Sequence, residues 1–571
     1  MSKYHELKEI LYQINKIKIF SLPYLFDVFE AKSKKERKRL KDIITLMLNK
    51  GYLIKRADGI FMAVSKKDKI VHQVIGYENP KKDFFEICQR FEVNPSFSEQ
   101  LIQESEKTAS NPPRVSENRK DFRKALVFTI DGEDAKDLDD AVSLLKEGDQ
   151  YRLFVHIADV SHFVKEGSLL DQEAFKRGTS IYLVDQVIPM LPKVISNGVC
   201  SLHPGEDKAV FSAEMVFDAQ GNMLRYQFYP AMIHSCRRFT YHEVESILNT
   251  GEIFQEIDAS LKPMLYEMKE LAQILRKKRI EEGSIDFDIP EPKIICDKKS
   301  RPIEIKMAER LFANNLIEEF MLSANRAAAI ELEEKKTGLF RVHEKPNEEK
   351  LDSFVRVVHQ AGFSVGNIHS SKDVQNFLDK MKGHPESYLL NTMLLRTMSQ
   401  AYYHHENFGH FGLSFSHYTH FTSPIRRYPD LVVHRLLKKL LGFEAGSKEV
   451  LSPEFLSDAS LQSSRQERVA VDMERAMKKR KAIHYLKDKI GKNFQGIVSG
   501  MAQNGIFVSL TEIGIEGFVP RNLFHEFEFD ETLNQYKKKG KILKLGTLIK
   551  VQVLSLNLKK EFIDFTIAEK L

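Results

Sequence analysis

The chain has 571 residues, 42% hydrophobic and 29% charged, with no low-complexity run, which predicts three or four folded domains and excludes a single small binding module. Lysine and arginine number 86 against 80 acids, and the net charge of +6 suits a polyanionic partner without requiring one. No run of roughly 18 apolar residues is free of charge, residues 1–18 are amphipathic without a signal-peptide core, and Cys88, Cys200, Cys236 and Cys296 lie far apart with no C-x-x-C pair. A soluble, cytoplasmic protein with no membrane partner is expected, and disulfide frameworks and zinc chemistry drop out.

Residues 1–65 read as helices closed by a hairpin. Leu7, Ile10, Leu11 and Ile14 recur at helical spacing, and Ser33 caps a second helix carrying Leu40, Ile43, Ile44 and Met47. Tyr52–Lys55 and Ile60–Val64 flank Asp58-Gly59, a hairpin turn. The pattern is that of a winged helix-turn-helix. The basic run Lys34 to Lys41 either meets phosphates or is a solvated face. Residues 66–120 carry little pattern and include the linker signal Asn111-Pro112-Pro113, so they are expected to be a connector.

Strand-like runs at 126–130, 151–157 and 209–217, then long helical patterns from about 262 to 487 such as Asn314 to Glu333, predict one large α+β domain over 121–487. The tail, 488–571, returns to short alternating strands around Gly505–Val508, Ile549–Val553 and Ile563–Ile567, the signature of an OB-fold β-barrel. The predicted fold class is therefore α+β multidomain.

The strongest chemical signal is T-I-D-G-E-D-A-K-D-L-D-D at 129–140. Asp131, Asp134, Asp137, Asp139 and Asp140 follow an apolar strand with a glycine in the turn. Carboxylates so crowded repel one another unless cations neutralise them, which points to hard metal ions. Two magnesium ions about 3.5–4 Å apart suit phosphodiester hydrolysis. Calcium is the rival ion, although the spacing is not that of an EF-hand, and a solvated acidic loop is the bland alternative.

The second signal, Thr419-His420-Phe421-Thr422-Ser423-Pro424-Ile425-Arg426-Arg427-Tyr428-Pro429-Asp430, leads into an amphipathic helix. One of its arginines either presents a planar fork to a phosphate or forms a surface ion pair. His156, Asp159 and His162 read as satisfied structural groups rather than metal ligands, and His404-His405-Glu406 reads as surface. Glu318 and Glu319 share a helix on which one member can face the acids. Tyr182, Tyr241 and Phe287 either stack bases or pack in a core.

Taken in order along the chain, these segments resemble the ribonuclease II/ribonuclease R family. The matching stretches are T-I-D-G-E-D-A-K-D-L-D-D-A at 129–141, H-I-A-D-V-S-H at 156–162, G-T-S-I-Y-L at 178–183, V-I-P-M-L-P at 187–192, S-N-G-V-C-S-L at 196–202, I-E-E-F-M at 317–321, R-V-H-E at 341–344, G-H-F-G-L at 409–413 and H-F-T-S-P-I-R-R-Y-P-D at 420–430. The resemblance implies a processive 3′-to-5′ exoribonuclease that releases nucleoside 5′-monophosphates with Mg2+; single-stranded RNA with a free 3′ end as partner, Mn2+ as a substitute ion and a monomeric state are expected alongside. It further implies that Asp131, Asp137, Asp139 and Asp140 bind metal, with Asp139 the most critical, and that Arg426 stabilises the transition state. Tyr182 and Phe287 would hold the terminal bases, Tyr241 with Glu318 would sense the ribose, Glu474 would be a further acid near the substrate, and Phe494, Phe507 and Phe518 would belong to a ribosomal-protein-type OB-fold that grips RNA. A catalytically inactive RNA-binding chain of the same fold and a two-metal hydrolase directed at DNA or a phosphomonoester are the competing readings.

The chain departs from the family at one place. The two cold-shock OB-folds that usually precede the catalytic domain have no room between Val64 and the helix-like stretch starting near Asp83. Weaker anchoring, lower processivity on long RNA and greater tolerance of structure are the expected consequences. The sequence ends at Leu571 without a long basic tail, which is expected to remove another aid to duplex unwinding.

Overall fold

The computed structural model describes residues 19, 20, 22, 25, 26, 29, 31, 33–49, 53–55, 61–63, 73–75, 80, 82–111, 119–287, 291–360, 368, 370–384, 387–444, 449–531, 535–538, 540–558 and 560–568. The helical pattern of Leu7 to Ile14 and the Asp58-Gly59 turn lie outside them. Strand β1 (Ile19–Phe20), helix α1 (Lys34–Asn49), β2 (Leu53–Lys55) and β3 (Phe61–Ala63) form a helix and an antiparallel sheet in the order β1-β3-β2. Ser33 caps α1 as its spacing predicts: Glu36 N donates to Ser33 Oγ, and Ser33 N donates to Glu36 Oε2. Leu40, Ile44 and Met47 bury one face of α1, and Lys34, Lys35, Lys38, Arg39 and Lys41 are exposed.

The expected connector is structured. It contains β4 (Gln73–Ile75), α2 (Asp83–Arg90) and α3 (Glu99–Ala109), the last capped by Ser98 and burying Leu101 and Ser105. α2 starts at Asp83, where the sequence reads as helix-like, whereas α3 carries too few turns to stand out from a polar background.

β5 (Lys120–Asp131), β6 (Asp140–Glu147) and β7 (Gln150–Ala158) follow, then α4 (Leu169–Arg177), the hairpin β8 (Ile181–Leu183) and β9 (Gln186–Ile188), β10 (Asp207–Phe217) and β11 (Met223–Thr240). Five of these close a barrel in the order β10-β11-β5-β6-β7. The β5–β11 pair is parallel and the other pairs are antiparallel. Val127, Phe128, Thr129 and Ile130 are buried on consecutive positions, as befits a strand covered on both sides. α5 (Tyr241–Thr250) starts on a Thr240–Glu243 capping box, and α6 (Asp258–Glu281) follows. After the hairpin β12 (Pro292–Cys296) and β13 (Pro302–Met307) comes α7 (Phe312–Glu334), which sinks Leu316, Phe320, Ala324 and Ala328 into the core shared with the barrel.

β14 (Phe340–Val342) pairs with β15 (Tyr402–His404) around α8 (Glu348–Gln360), α9 (Ser371–Met381) and α10 (Ser387–Thr397). α11 (Tyr428–Leu440) is buried along most of its length, and α12 (Pro453–Leu486) is the longest helix described. No helix among the described residues is long and apolar enough to cross a membrane.

β16 (Asn493–Ala502), β17 (Gly505–Leu510), β18 (Glu516–Pro520), β22 (Leu548–Asn557) and β23 (Phe562–Ile567) form a sheet in the order β16-β17-β18-β23-β22, closed by the β16–β22 pair. β19 (Glu528–Asp530), β20 (Gln535–Lys538) and β21 (Lys541–Leu543) make a separate antiparallel sheet, and β4 adds in parallel to β22.

The chain divides into two compact units. One comprises 1–86, 291–308 and 476–571, the other 87–290 and 309–475. In this division the end of α12, from 476, and residues 291–308 fall with the C-terminal barrel rather than with the rest of the expected α+β segment 121–487. The reason is packing: Ile305, Ala482, Ile483 and Leu486 are buried in the same core as Val498, Val508 and Val551 of the C-terminal barrel.

Candidate active site

The acid segment connects the end of β5 to the start of β6. Asp131 closes β5 in register with Thr240, one residue before Tyr241 begins α5, and Asp140 opens β6 opposite Ile157. Between them the loop has no regular structure, and side chains from elsewhere hold its backbone. Leu138 N donates to Ser201 Oγ (3.0 Å), and Ser201 Oγ donates to Lys136 O (2.9 Å). Arg238 Nη2 donates to the carbonyls of Gly132 (2.8 Å) and Glu133 (3.0 Å). Ser201 was not visible as a site residue in the sequence, although it sits in the family-like stretch S-N-G-V-C-S-L.

Asp139 is 4% exposed. Its Oδ1 accepts from Ile425 N (2.9 Å), and its Oδ2 lies 3.7 Å from Arg426 Nε. Burial pushes its carboxyl well above the usual range, against the pull of Arg426 and the Ile425 amide. Burial likewise raises Asp140 to about 7 and Asp131 to about 6, and the two repel each other. Asp131 Oδ2 is buried without a hydrogen-bond partner. Asp137 accepts from the Tyr182 hydroxyl (2.6 Å), and Asp134 is exposed away from these contacts. Tyr241 follows directly on Thr240, the register partner of Asp131, and burial, then the Asp140 and Asp131 charges, raise its phenol above the ordinary value.

The arginine turn docks onto the strand that carries Tyr182. Ser180 N and Thr179 Oγ1 donate to Arg426 O, and Tyr428 N donates to Gly178 O. Gly178 has φ +66°, and a Cβ there would lie 2.7 Å from Gln466 Cβ, so the close approach needs glycine. The two arginines separate. Arg427 is half-buried and paired with the buried Asp430 (2.7 Å), whose carboxylate also accepts from Ser423 N, whereas Arg426 is more exposed, tethered by Ser423 Oγ (3.0 Å) and beside Asp139.

Glu319 is buried, with Arg279 donating to both its oxygens, and Glu318 is the exposed member, facing Arg310 (3.4 Å). Phe287 packs half-buried against the core of α8 to α10, next to Asp286, which pairs with Arg276 and Arg310. Glu474 is half-buried on α12. The contacts thus gather Asp131, Asp137, Asp139, Asp140, Arg426, Tyr182 and Tyr241. Glu318 and Phe287 stand in a neighbouring charged cluster. Phe494, Phe507 and Phe518 belong to the other unit, where the Phe507 and Phe518 rings lie 5.0 Å apart. His156 is held by Ser143 and Ser212, Asp159 by Arg119 and Lys438, and His404 accepts from Glu406 N, all structural roles.

Among the described residues no group of three or more His, Cys, Asp or Glu side chains forms a ready metal cage. The donor chemistry nevertheless fits a hard cation: all-oxygen carboxylates, mutual repulsion and one orphaned buried oxygen.

The RNB domain family model matches residues 119–442, and the S1 RNA binding domain model matches 487–568. The class so defined is a hydrolase of RNA, a 3′-to-5′ exoribonuclease with an S1 RNA-binding domain of OB-fold type. Ribonuclease R of Aquifex aeolicus is 40% identical over 515 residues, 88% of this chain and 72% of that relative. The structure of Mycoplasma genitalium RNase R in complex with ribose-methylated single-stranded RNA superposes with TM-score 0.82 at 28% identity, covering 86% of this chain and 78% of that one. Its complex with double-stranded RNA gives 0.77 at 27%, covering 86% and 83%. The chain belongs to the ribonuclease R family.

Proposed function

We propose that the chain hydrolyses RNA one nucleotide at a time from a free 3′ end, releasing nucleoside 5′-monophosphates with Mg2+ held by Asp131, Asp137, Asp139 and Asp140. The observation that carries this is Asp139, buried and bonded to the arginine turn through Ile425 N with Arg426 at 3.7 Å, so that an acid loop and a phosphate-type cation meet at one carboxylate. A metal held by these carboxylates would supply positive charge against the scissile phosphate and Lewis-acid activation of a water.

The chain's own groups do the rest. Arg426, fixed by Ser423, offers a planar fork to the phosphate as charge builds on it. The Tyr182 hydroxyl orients Asp137 and leaves the ring, 40% exposed, for the terminal nucleotide. Tyr241 and Glu318 read the ribose hydroxyl, and Phe287 closes the base stack. Glu474 contributes a further acid near the strand. The S1 domain, with Phe494, Phe507 and Phe518, grips RNA, and the N-terminal helix and sheet act as a winged helix. The wide spacing of the four cysteines, with no C-x-x-C pair, suits a reducing, cytoplasmic setting, and the chain acts there as a monomer. The inactive alternative finds no support in a site where the acids and Arg426 converge.

Asp139→Asn is expected to abolish mononucleotide release while RNA binding persists, and normal cleavage by that variant would overturn the reading. Because the segment between β3 and α2 leaves no room for cold-shock folds, a long 3′-tailed RNA is expected to yield intermediates under single-encounter trap conditions. Complete digestion in one encounter would sink that part.

A further inference from the structure

A cavity of about 320 Å³ lies between the last turns of α6 and the middle of α7, bounded by the β10–β11 turn and Phe415. It is in the same compact unit as the acid loop but is lined by none of its residues. Six charged side chains line it, four of them basic (Arg225, Lys278, Arg279 and Arg326) and two acidic (Glu282 and Glu319).

Each acid has a basic neighbour. Glu319 is held by Arg279 at 2.6 Å, and Glu282 lies 4.0 Å from Lys278. Arg225 is exposed on β11. Arg326 is half-buried with its guanidinium over the Phe415 ring, 5.1 Å from the centroid, and no carboxylate among the described residues pairs with it. A cation that has lost part of its hydration without gaining a counter-ion is stabilised by a ligand that brings negative charge. Leu224, Leu322 and Ile330 supply an apolar wall beside it, and the volume matches the lower range of small-ligand pockets.

We infer that this cavity is a second binding site, separate from the acid loop, for a phosphate-bearing nucleotide: its phosphate meets Arg326 and Arg225, and its base lies on the apolar wall. The nucleotide is either a free 5′-monophosphate or a unit of an RNA strand. The inference rests on the exoribonuclease reading only for which nucleotides lie close at hand.

The test compares the full-length chain with Arg326→Gln, titrating adenosine 5′-monophosphate, adenosine and an about 20-nucleotide RNA in EDTA over a range of salt. If free nucleotide is the ligand, the unmodified chain binds one more equivalent of adenosine 5′-monophosphate than the variant, and adenosine does not fill that site. If the strand is the ligand, the variant binds RNA more weakly with a salt slope smaller by about one phosphate contact, and the nucleotide stoichiometry is unchanged. Identical stoichiometry, RNA affinity and salt slope overturn the proposal. Should Arg326→Gln lower the thermal midpoint, Arg326→Lys keeps the charge and loses the fork, and about tenfold weaker binding is expected. With Mg2+ restored, mononucleotide release from a short RNA by the unmodified chain checks the exoribonuclease reading separately. An unmodified chain that hydrolyses nothing would overturn the exoribonuclease reading and leave the nucleotide stoichiometry to decide the second site.

Discussion

Asp139 and Asp159 are both buried aspartates of one compact unit, yet their surroundings are opposite. Asp159 is pinched between Lys438 Nζ (2.5 Å) and Arg119 Nη2 (2.7 Å). Burial alone would raise its carboxyl, but those two cations outweigh burial and hold it well below the usual range. Asp139 has one amide donor and one guanidinium at 3.7 Å, and burial wins, pushing it well above. A fully compensated buried charge holds a fold together, whereas an under-compensated one is left to attract a cation.

The contrast breaks most sharply under paired substitution. Asp139→Asn is expected to cut mononucleotide release by about 10³-fold or more with an unchanged thermal midpoint. Asp159→Asn, which strands two buried cations, is expected to lose about 3–5 kcal/mol of stability in denaturant titration. If the two variants exchanged these effects, the assignment of roles would be wrong. The neighbouring arginines repeat the contrast on a smaller scale: Arg426→Ala should cost about 10²–10³ in turnover with the fold intact, and Arg427→Ala should mainly lower the unfolding midpoint because Asp430 loses its partner.

Ser201→Ala sharpens the comparison from the acid side. Removing the hydroxyl that ties Lys136 to Leu138 should raise half-saturating Mg2+ or lower turnover by about 10–100-fold, read by metal titration at saturating RNA. Unchanged metal dependence would show that the loop holds itself. A further effect is on pH. Burial keeps His156 neutral, with its pKa lowered to about 3, and His434 at about 4, both below the ordinary value near 6.5. The unfolded chain therefore takes up protons first as pH falls. Their contribution is whole above about 6.5 and declines below it by up to about 1.4 kcal/mol per histidine per pH unit until each folded pKa is reached. Thermal midpoints that stay level from pH 7 to 5 would contradict this.

The acid cluster was legible because its members fall within ten residues of one another along the chain, and local spacing needs no tertiary information. The barrel strands were legible through apolar runs, and α7 through its period. Other features were not. Arg426 and Arg427 are adjacent and chemically equal in sequence. Only the docking of their turn onto Gly178–Ser180 directs one toward Asp139 and the other toward Asp430. Glu318 and Glu319 are likewise split by the roughly 100° turn between neighbours on a helix, which buries the second against Arg279. Of the two helices inside the expected connector, α2 was legible as a helix-like stretch starting near Asp83, whereas the extent of α3 was not, because its few turns gain stability from packing rather than from pattern.

By itself, then, the sequence determined the class of chemistry, through clustered aspartates and an arginine turn, and the family, through the order of its motifs. Tertiary structure decided which carboxylates are buried, which arginine is unspent, that Ser201 pins the loop, and that a hairpin from the middle of the chain joins the C-terminal core. Those outcomes depend on contacts between residues tens to hundreds of positions apart, and burial, the quantity that sets each charge's cost, does not exist until the chain has closed on itself.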